Sequence, residues 1–320
     1  MSKFILARLL QALPVLVLVS ILTFGGLELV PGDPLLAVIG PAQDGTQLSA
    51  EDVERIKEQF GLHGSLPERY FRYVEQVILR FDFGTSLQSQ EPVTKVIADR
   101  LPVSLWLNGL ALGLSIVLGL TLGLIAGVRP GTRGDLGVTF LAVVGVAAPS
   151  FWLAIGLIIL FSVELGWLPT SGWVDPLSDP WEAAKHLAMP VFALSLGGVA
   201  VIARQTRSSV LEIRRQDYIV TARAKGLPGG AVLFRHVLKN SMLPVVTIMG
   251  LQIAALFGGS VIIERLFALP GLGRLAFDST LSHDFKILQG IVFVVTLAVV
   301  GANLLTDIVY GLLDPRIRYQ

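Results

Sequence analysis

The stretch "RLPVSLWLNGLALGLSIVLGLTLGLIAG", residues 100–127, decides the fold. From Leu101 to Gly127 it runs 27 residues without an ionisable side chain. A helix needs about 20 apolar residues to cross the roughly 30 Å hydrocarbon layer of a bilayer. A soluble helix of that length keeps a polar face, and this stretch has none. It reads as a membrane span. Within it, Gly109 and Gly113, then Gly119, Gly123 and Gly127, recur every fourth residue, so each set shares one helix face. Small residues at that spacing let a second helix backbone come close. The alternative reading is the ordinary glycine enrichment of membrane helices.

The same pattern extends along the chain. Of its 320 residues 53% are hydrophobic and 15% charged, against about 25% charged in a soluble domain. Spans are expected at roughly 9–30, 104–128, 137–164, 187–203, 243–263 and 288–313. The fold class is therefore an all-α polytopic membrane protein with six transmembrane helices. The start, "MSKFILARLLQALPVLVLVSILTF", resembles a signal peptide. Its apolar run is too long, and no A-x-A-like site follows, so residues 1–30 read as an uncleaved first helix. Residues 31–103 are polar, with strand or helix content in "SAEDVERIKEQFGL" and "PERYFRYVEQVILRF". They read as a small exported element, either receiving an exported partner or supporting the outer half. Residues 104–313 form the remaining five-helix core, with a loop at 204–242, and 314–320 a tail.

Lys and Arg in short loops set the orientation. With the amino terminus inside, Lys3, Arg8, Arg129, Arg133, Arg316 and Arg318 fall on the cytoplasmic side. So does the loop 204–242, with Arg204, Arg207, Arg214, Arg215, Arg223, Lys225, Arg235 and Lys239. Both termini are expected in the cytoplasm.

Pro149, in "VAAPSFWL", removes a backbone donor and is expected to kink the third span. Pro190 is expected to do the same in the fourth. Asp307 lies inside the sixth span and shares a face with Asn303, Tyr310 and Asp314. An acid in the membrane points to function; bonding to polar groups of neighbouring helices is the plainer reading. Gln252 and Asn303 are candidates for lining a substrate path, and packing bonds explain them equally well.

Enzymatic chemistry finds no footing. There is no cysteine, so disulfides and thiol metal sites are excluded. The four histidines lie far apart with no paired spacing. No GxxxxGK[ST] loop, GxSxG elbow or dinucleotide fingerprint occurs. No catalytic residue and no metal ligand is assigned. The net charge of +1 gives no argument for nucleic acid, and none is expected as a partner. What remains is a path through the lipid bilayer.

The loop carries "YIVTARAKGLPGG", residues 218–230. A short helix is expected, stopped at Gly226 and followed by Pro228, where helices often end. Ala222 and Ala224 are small enough to let a partner surface approach, and Arg223 and Lys225 can pair with acids on it. The alternative is a basic helix that only satisfies the positive-inside bias and anionic lipid.

"ARAKGL" (222–227) followed by "RHVLKNSMLPVV" (235–246) resembles the signature loop of binding-protein-dependent ABC transporter permeases. The likeness extends to the first permease of the oligopeptide, dipeptide and nickel importers. "PGDP" (31–34), "FDFGTSL" (81–87), "APSFWLAIGLI" (148–158), "LGWLPTSGW" (165–173), "FALPGLGRLAFDSTLSHDFKILQG" (267–290) and "LLDPRIRYQ" (312–320) carry it, together with 100–127. It covers nearly the whole chain. Where the general signature has a glutamate and two alanines, this chain has Val220, Thr221 and Ala222, which is similar to the peptide branch. Phe81 stands where that branch often has glycine, so the local turn there is open.

The resemblance implies a type I ABC importer transmembrane domain in a bacterial or archaeal cytoplasmic membrane. It implies coupling to an ATPase through Thr221, Ala222, Arg223, Ala224, Lys225, Gly226 and Leu227. The partners implied are a second homologous permease, two ABC ATPases, an exported substrate-binding protein and a di- or oligopeptide substrate. ATP and Mg are then bound by the ATPases, with no cofactor in this chain. Nickel or glutathione as cargo stays open. A self-contained secondary carrier stays as a further alternative; it needs a coupling-ion site and usually inverted repeats.

Overall fold

The computed structural model describes residues 2–28, 64–86 and 88–313. The "PGDP" motif, residues 31–63 and 87 of the exported segment, Asp314 and the tail 314–320 lie outside the described residues. The described chain is helical: α1 (Ser2–Glu28), α2 (Leu66–Val74, continued by a wide turn over Glu75–Leu79), α3 (Val93–Val128), α4 (Arg133–Ala147), α5 (Ser150–Glu164), α6 (Pro180–Arg214), α7 (Asp217–Ala224), α8 (Gly229–Leu266), α9 (Leu272–Leu281) and α10 (Phe285–Leu313). Four of them, α3, α6, α8 and α10, are each long and apolar enough to cross a bilayer. The apolar part of α1, Leu10–Gly26, is shorter and falls at the low end of the roughly 17–25 residues that span.

α4 and α5 together make the third expected span, and here the structure departs from a kink. The two helices meet at 104°. Ala148 is extended (φ −78°, ψ 121°) and Pro149 follows it as the first residue ahead of α5. The proline ring forces the residue before it out of the helical region, so the chain breaks where a kink was expected. Pro190 does not break its helix: α6 runs from Pro180 to Arg214 through it.

Two compact units are formed. The first comprises Met1–Arg8, Pro102–Arg274 and Val299–Gln320. Its centre is the pairing of α3 with α6. A Cβ at Gly119 would lie 2.7 Å from Ile202 Cβ, at Gly123 2.6 Å from Thr206 Cβ, and at Gly127 2.8 Å from Val210 Cβ. No side chain fits, so the two backbones lie against each other. In lipid, where apolar burial gives no drive between helices, such contact is what holds them. Val103, Leu107, Ala111, Leu194, Leu256 and Phe267 continue the core. Wholly buried Glu264 ties off the chain after α8. It accepts from Ser104 Oγ at 2.7 Å and from the Arg274 N–H at 2.9 Å.

The second unit comprises Leu9–Leu101 and Leu275–Ala298. A reciprocal cap starts α2: Ser65 and Glu68 bond each other's backbone and side chain. Tyr70 and Tyr73 pack on Phe24, and Tyr70 shares a 2.8 Å hydrogen bond with Ser20. Burial pushes the Tyr73 phenol up to about 12. Further on, Ser86 Oγ donates to Asp284 at 2.6 Å, and Phe83 packs on Phe293. The segment between α1 and α3 thus builds its unit jointly with residues distant in sequence. Phe81 takes φ +51°, the left-handed region that glycine enters without cost. The turn is kept, under strain.

Candidate functional site

α6 ends at Arg214, and Gln216 turns extended (φ −72°, ψ 144°) to start α7. α7 stops by a paired cap. Gly226, at φ +79°, donates its N–H to Arg223 O at 2.9 Å, and Leu227 donates to Ala222 O at 3.3 Å. This is the Schellman arrangement, which needs the left-handed residue. Space is no constraint, since nothing lies within 4 Å of a Cβ placed there. Pro228 then leads directly into α8.

α7 is seated by Ile219 and Ala222, one turn apart on its inner face. They pack with Val210 of α6 and with Val232 and Val237 of α8. Tyr218 OH accepts from Asn240 Nδ2 at 3.1 Å. Of the seven residues expected to meet a partner, Thr221, Arg223, Ala224, Lys225, Gly226 and Leu227 are exposed together. Ala222 differs from them in exposure. It is 8% exposed, turned inward because it falls one helical turn after Ile219, so it seats α7.

Two guanidiniums root this region. Arg207 makes a two-pronged pair with Asp135 of α4, through Nε and, at 2.9 Å, Nη2. Asp135 also accepts from the Gly131 N–H at 2.9 Å. Arg214 Nη1 donates to the terminal carbonyls of α3, Gly127 O at 2.8 Å and Val128 O at 2.6 Å. These arginines counted only as loop charges in the sequence; nothing there shows which group each one meets.

Between α8 and α10 lies a cavity of about 540 Å³. Thr247, Gly250 and Leu251 of α8 face Asn303, Thr306, Asp307 and Tyr310 of α10, and Arg8 of α1 completes the wall. Gly250 sets the floor, since a Cβ there would lie 2.9 Å from Thr306 Cγ2. Arg8 Nε pairs with Asp307 at 3.2 Å, both side chains partly exposed. Asp307 thus has its neighbour, as the plainer reading held, and that neighbour opens onto a cavity. The structure separates the two path candidates. Asn303 lines this cavity. Gln252 is directed at α6, its amide 3.1 Å from where a Gly198 Cβ would sit.

Residues 119–319 match the family described as binding-protein-dependent transport system inner membrane component, and residues 1–108 match the amino-terminal model of such membrane components. The chain belongs to the binding-protein-dependent transport system inner membrane component family. Relatives of this inner membrane component match end to end. A putative peptide transport system permease protein of Brucella abortus is 42% identical over 320 residues, covering 100% of both chains. The oligopeptide transport system permease protein AppB of Bacillus subtilis is 37% identical over 323 residues, again 100% of both. The glutathione transport system permease protein GsiC of Salmonella typhimurium is 39% identical over 330 residues with full coverage of both.

Two solved structures share the fold of this inner membrane component. The inward-facing MetNI methionine ABC transporter aligns with TM-score 0.56 at 18% identity, over 68% of this chain and 96% of that one. An amino acid ABC transporter with histidines aligns with TM-score 0.52 at 15% identity, over 68% and 94%. The chain is therefore a multi-pass transport permease with the helical architecture of ABC transporter membrane subunits.

Proposed function

We propose that this chain forms half of the translocation path of an ATP-driven importer of short peptides. The observation that carries the substrate is the end-to-end match, at 37–42% identity, to permeases named for peptide and oligopeptide transport. Glutathione, itself a tripeptide, stays within that class through the 39% match to GsiC.

In this reading α7 is the coupling helix. The α6–α8 connection faces the cytoplasm, as do both termini, following the placement of Lys and Arg. A second permease of the same kind completes the path. Two ATPases bind ATP and Mg below it, and an exported binding protein delivers peptide. Thr221, Arg223, Ala224, Lys225, Gly226 and Leu227 present the face an ATPase holds, and Ala222 seats it. ATP binding must favour one conformation over the other, since only a differential affinity shifts an equilibrium. Movement of α7 reaches α6 and α8 through Val210, Val232 and Val237. It reaches α3 through Arg214 and α4 through Arg207.

The test is a mild-detergent pull-down of the tagged chain from native membranes, followed by reconstitution in liposomes. The expected result is co-purification of a second permease and two ATPases, with peptide uptake that needs ATP and an exported binding protein. Uptake by the chain alone, without ATP, overturns the reading.

A further inference from the structure

We infer that the apolar groove between the first halves of α3 and α6 is a lipid site that retains one acyl chain of a phospholipid. The leaflet is the one on the side where α6 begins, the outer one in the orientation read above. The inference does not depend on what the importer carries.

The groove holds about 610 Å³ and no ionisable side chain lines it. Trp106, Leu110, Leu114 and Val117 of α3 form one wall, and Leu187 and Val191 belong to the other. An apolar space of this kind stays dry and offers no charge to a polar solute. Its walls gain dispersion contacts only from an apolar occupant, and hydrocarbon is what a bilayer supplies. Length fits one leaflet. From Trp106 to Val117, at 1.5 Å per residue, α3 lines the groove for about 16 Å. Half of the roughly 30 Å hydrocarbon layer is the reach of one leaflet's chains. Beyond Val117 the two helices meet, with Gly119 against Ile202 and Gly123 against Thr206, and close the inner end. Pro176 and Pro180 stand at the other end, where α6 begins.

The rim has the chemistry of a membrane surface. Leu177 and Trp181 follow the two rim prolines in sequence. They are 80% and 73% exposed, the most of any large apolar side chains among the described residues. Tryptophan is enriched at headgroup level, where its ring is half apolar and half wet. Glu182 and Lys185, paired at 2.7 Å, bring one charge of each sign to the same turns of α6, as a zwitterionic headgroup does. A helix of a second permease is the other possible occupant. Close seating of a helix needs small residues along its whole path. Here Trp106, Leu110, Leu114 and Val117 stand beside Gly109 and Gly113. They hold a second backbone off, while a flexible chain threads between them.

The experiment uses the complex purified through the tagged chain and reconstituted into vesicles of dioleoylphosphatidylcholine. The vesicles carry a phosphatidylcholine probe with a diazirine near either the carboxyl end or the methyl end of one acyl chain. The complex is extracted, washed in detergent until loosely held lipid is gone, and then irradiated. Peptide mass spectrometry locates the adducts. The first probe is expected to label the groove near Trp106 and Pro180, and the second near Val117 and Val191. Gly113→Leu and Ala188→Leu fill the groove from opposite walls. Each is expected to lower groove labelling at least about 5-fold, because the added side chain takes the contacts of the lipid chain. Adducts elsewhere on the complex are expected to stay unchanged, and melting temperature checks that each variant is folded. The wild-type map stands even where a variant fails to fold. Groove residues left unlabelled after the wash show freely exchanging lipid only and overturn the inference. Groove labelling unchanged in both folded variants overturns it too. So does a groove that escapes both probes in the vesicles and crosslinks to a second permease. Each of these outcomes leaves ATP-dependent uptake, and with it the importer reading, untouched.

Discussion

The two halves of α3 carry the same glycine spacing and meet opposite surroundings. At Gly119, Gly123 and Gly127 the helix lies directly on α6, with less than 3 Å between a Cβ placed at each glycine and the side chains of that helix. At Gly109 and Gly113 nothing lies within 4 Å. The helix there borders an apolar groove of about 610 Å³, faced across by Ala183, Ala184 and Ala188 of α6. The difference lies in the opposing wall. In the first half, branched Ile202, Thr206 and Val210 reach into the glycine notches. In the second, no side chain reaches into the notches at Gly109 and Gly113, and a gap is left. Gly226 is a third case, since it is fixed by its backbone angle and has open space around it. A glycine therefore states permission, and its neighbours decide whether the permission is used.

Substitutions separate these cases, beginning with the largest effect. Gly123→Leu drives a side chain into the α6 backbone, and overpacking typically costs about 1–3 kcal/mol. Loss of folded protein on detergent size exclusion is expected, and wild-type yield and melting temperature break the comparison. Gly226→Val is expected to insert normally but lose ATP-dependent uptake, since valine resists positive φ, while Gly226→Asn keeps most of it. Equal uptake by the two variants contradicts the role of the angle. Arg214→Ala strips the terminal carbonyls of α3 of a charged donor, worth about 1.5–3 kcal/mol. A melting temperature lowered by a few degrees, with folding retained, is the outcome to look for in thermal unfolding. Gly113→Leu enters the groove and is expected to change melting by no more than about one degree. A large loss there shows the second half to be as tightly opposed as the first.

Much of this was legible in the chain. Apolar runs located every described span, because in a bilayer each backbone polar group must be satisfied within its own helix. The stop of α7 was readable from Gly226 and Pro228, since a local angle and a missing donor decide it. The candidate site was legible only in outline. The sequence exposed Asp307 as costly and the α7 segment as basic. It showed neither that Arg8 lies beside Asp307 nor that Arg207 and Arg214 reach Asp135 and the end of α3. The inward turn of Ala222 followed from the seat offered by Val210, Val232 and Val237, and those residues come from two other helices.

The sequence by itself determined that this is a membrane protein of helical spans, where they run, and how α7 ends. Those properties depend on composition, on covalent limits of glycine and proline, and on hydrogen bonds within one helix. Tertiary structure decided the 104° break between α4 and α5, which glycines close on α6, the inward face of α7, and the pairing that makes a charged cavity of Arg8, Asn303, Asp307 and Tyr310. Each of these depends on what stands opposite, and residues 299 positions apart become neighbours only when the helices pack.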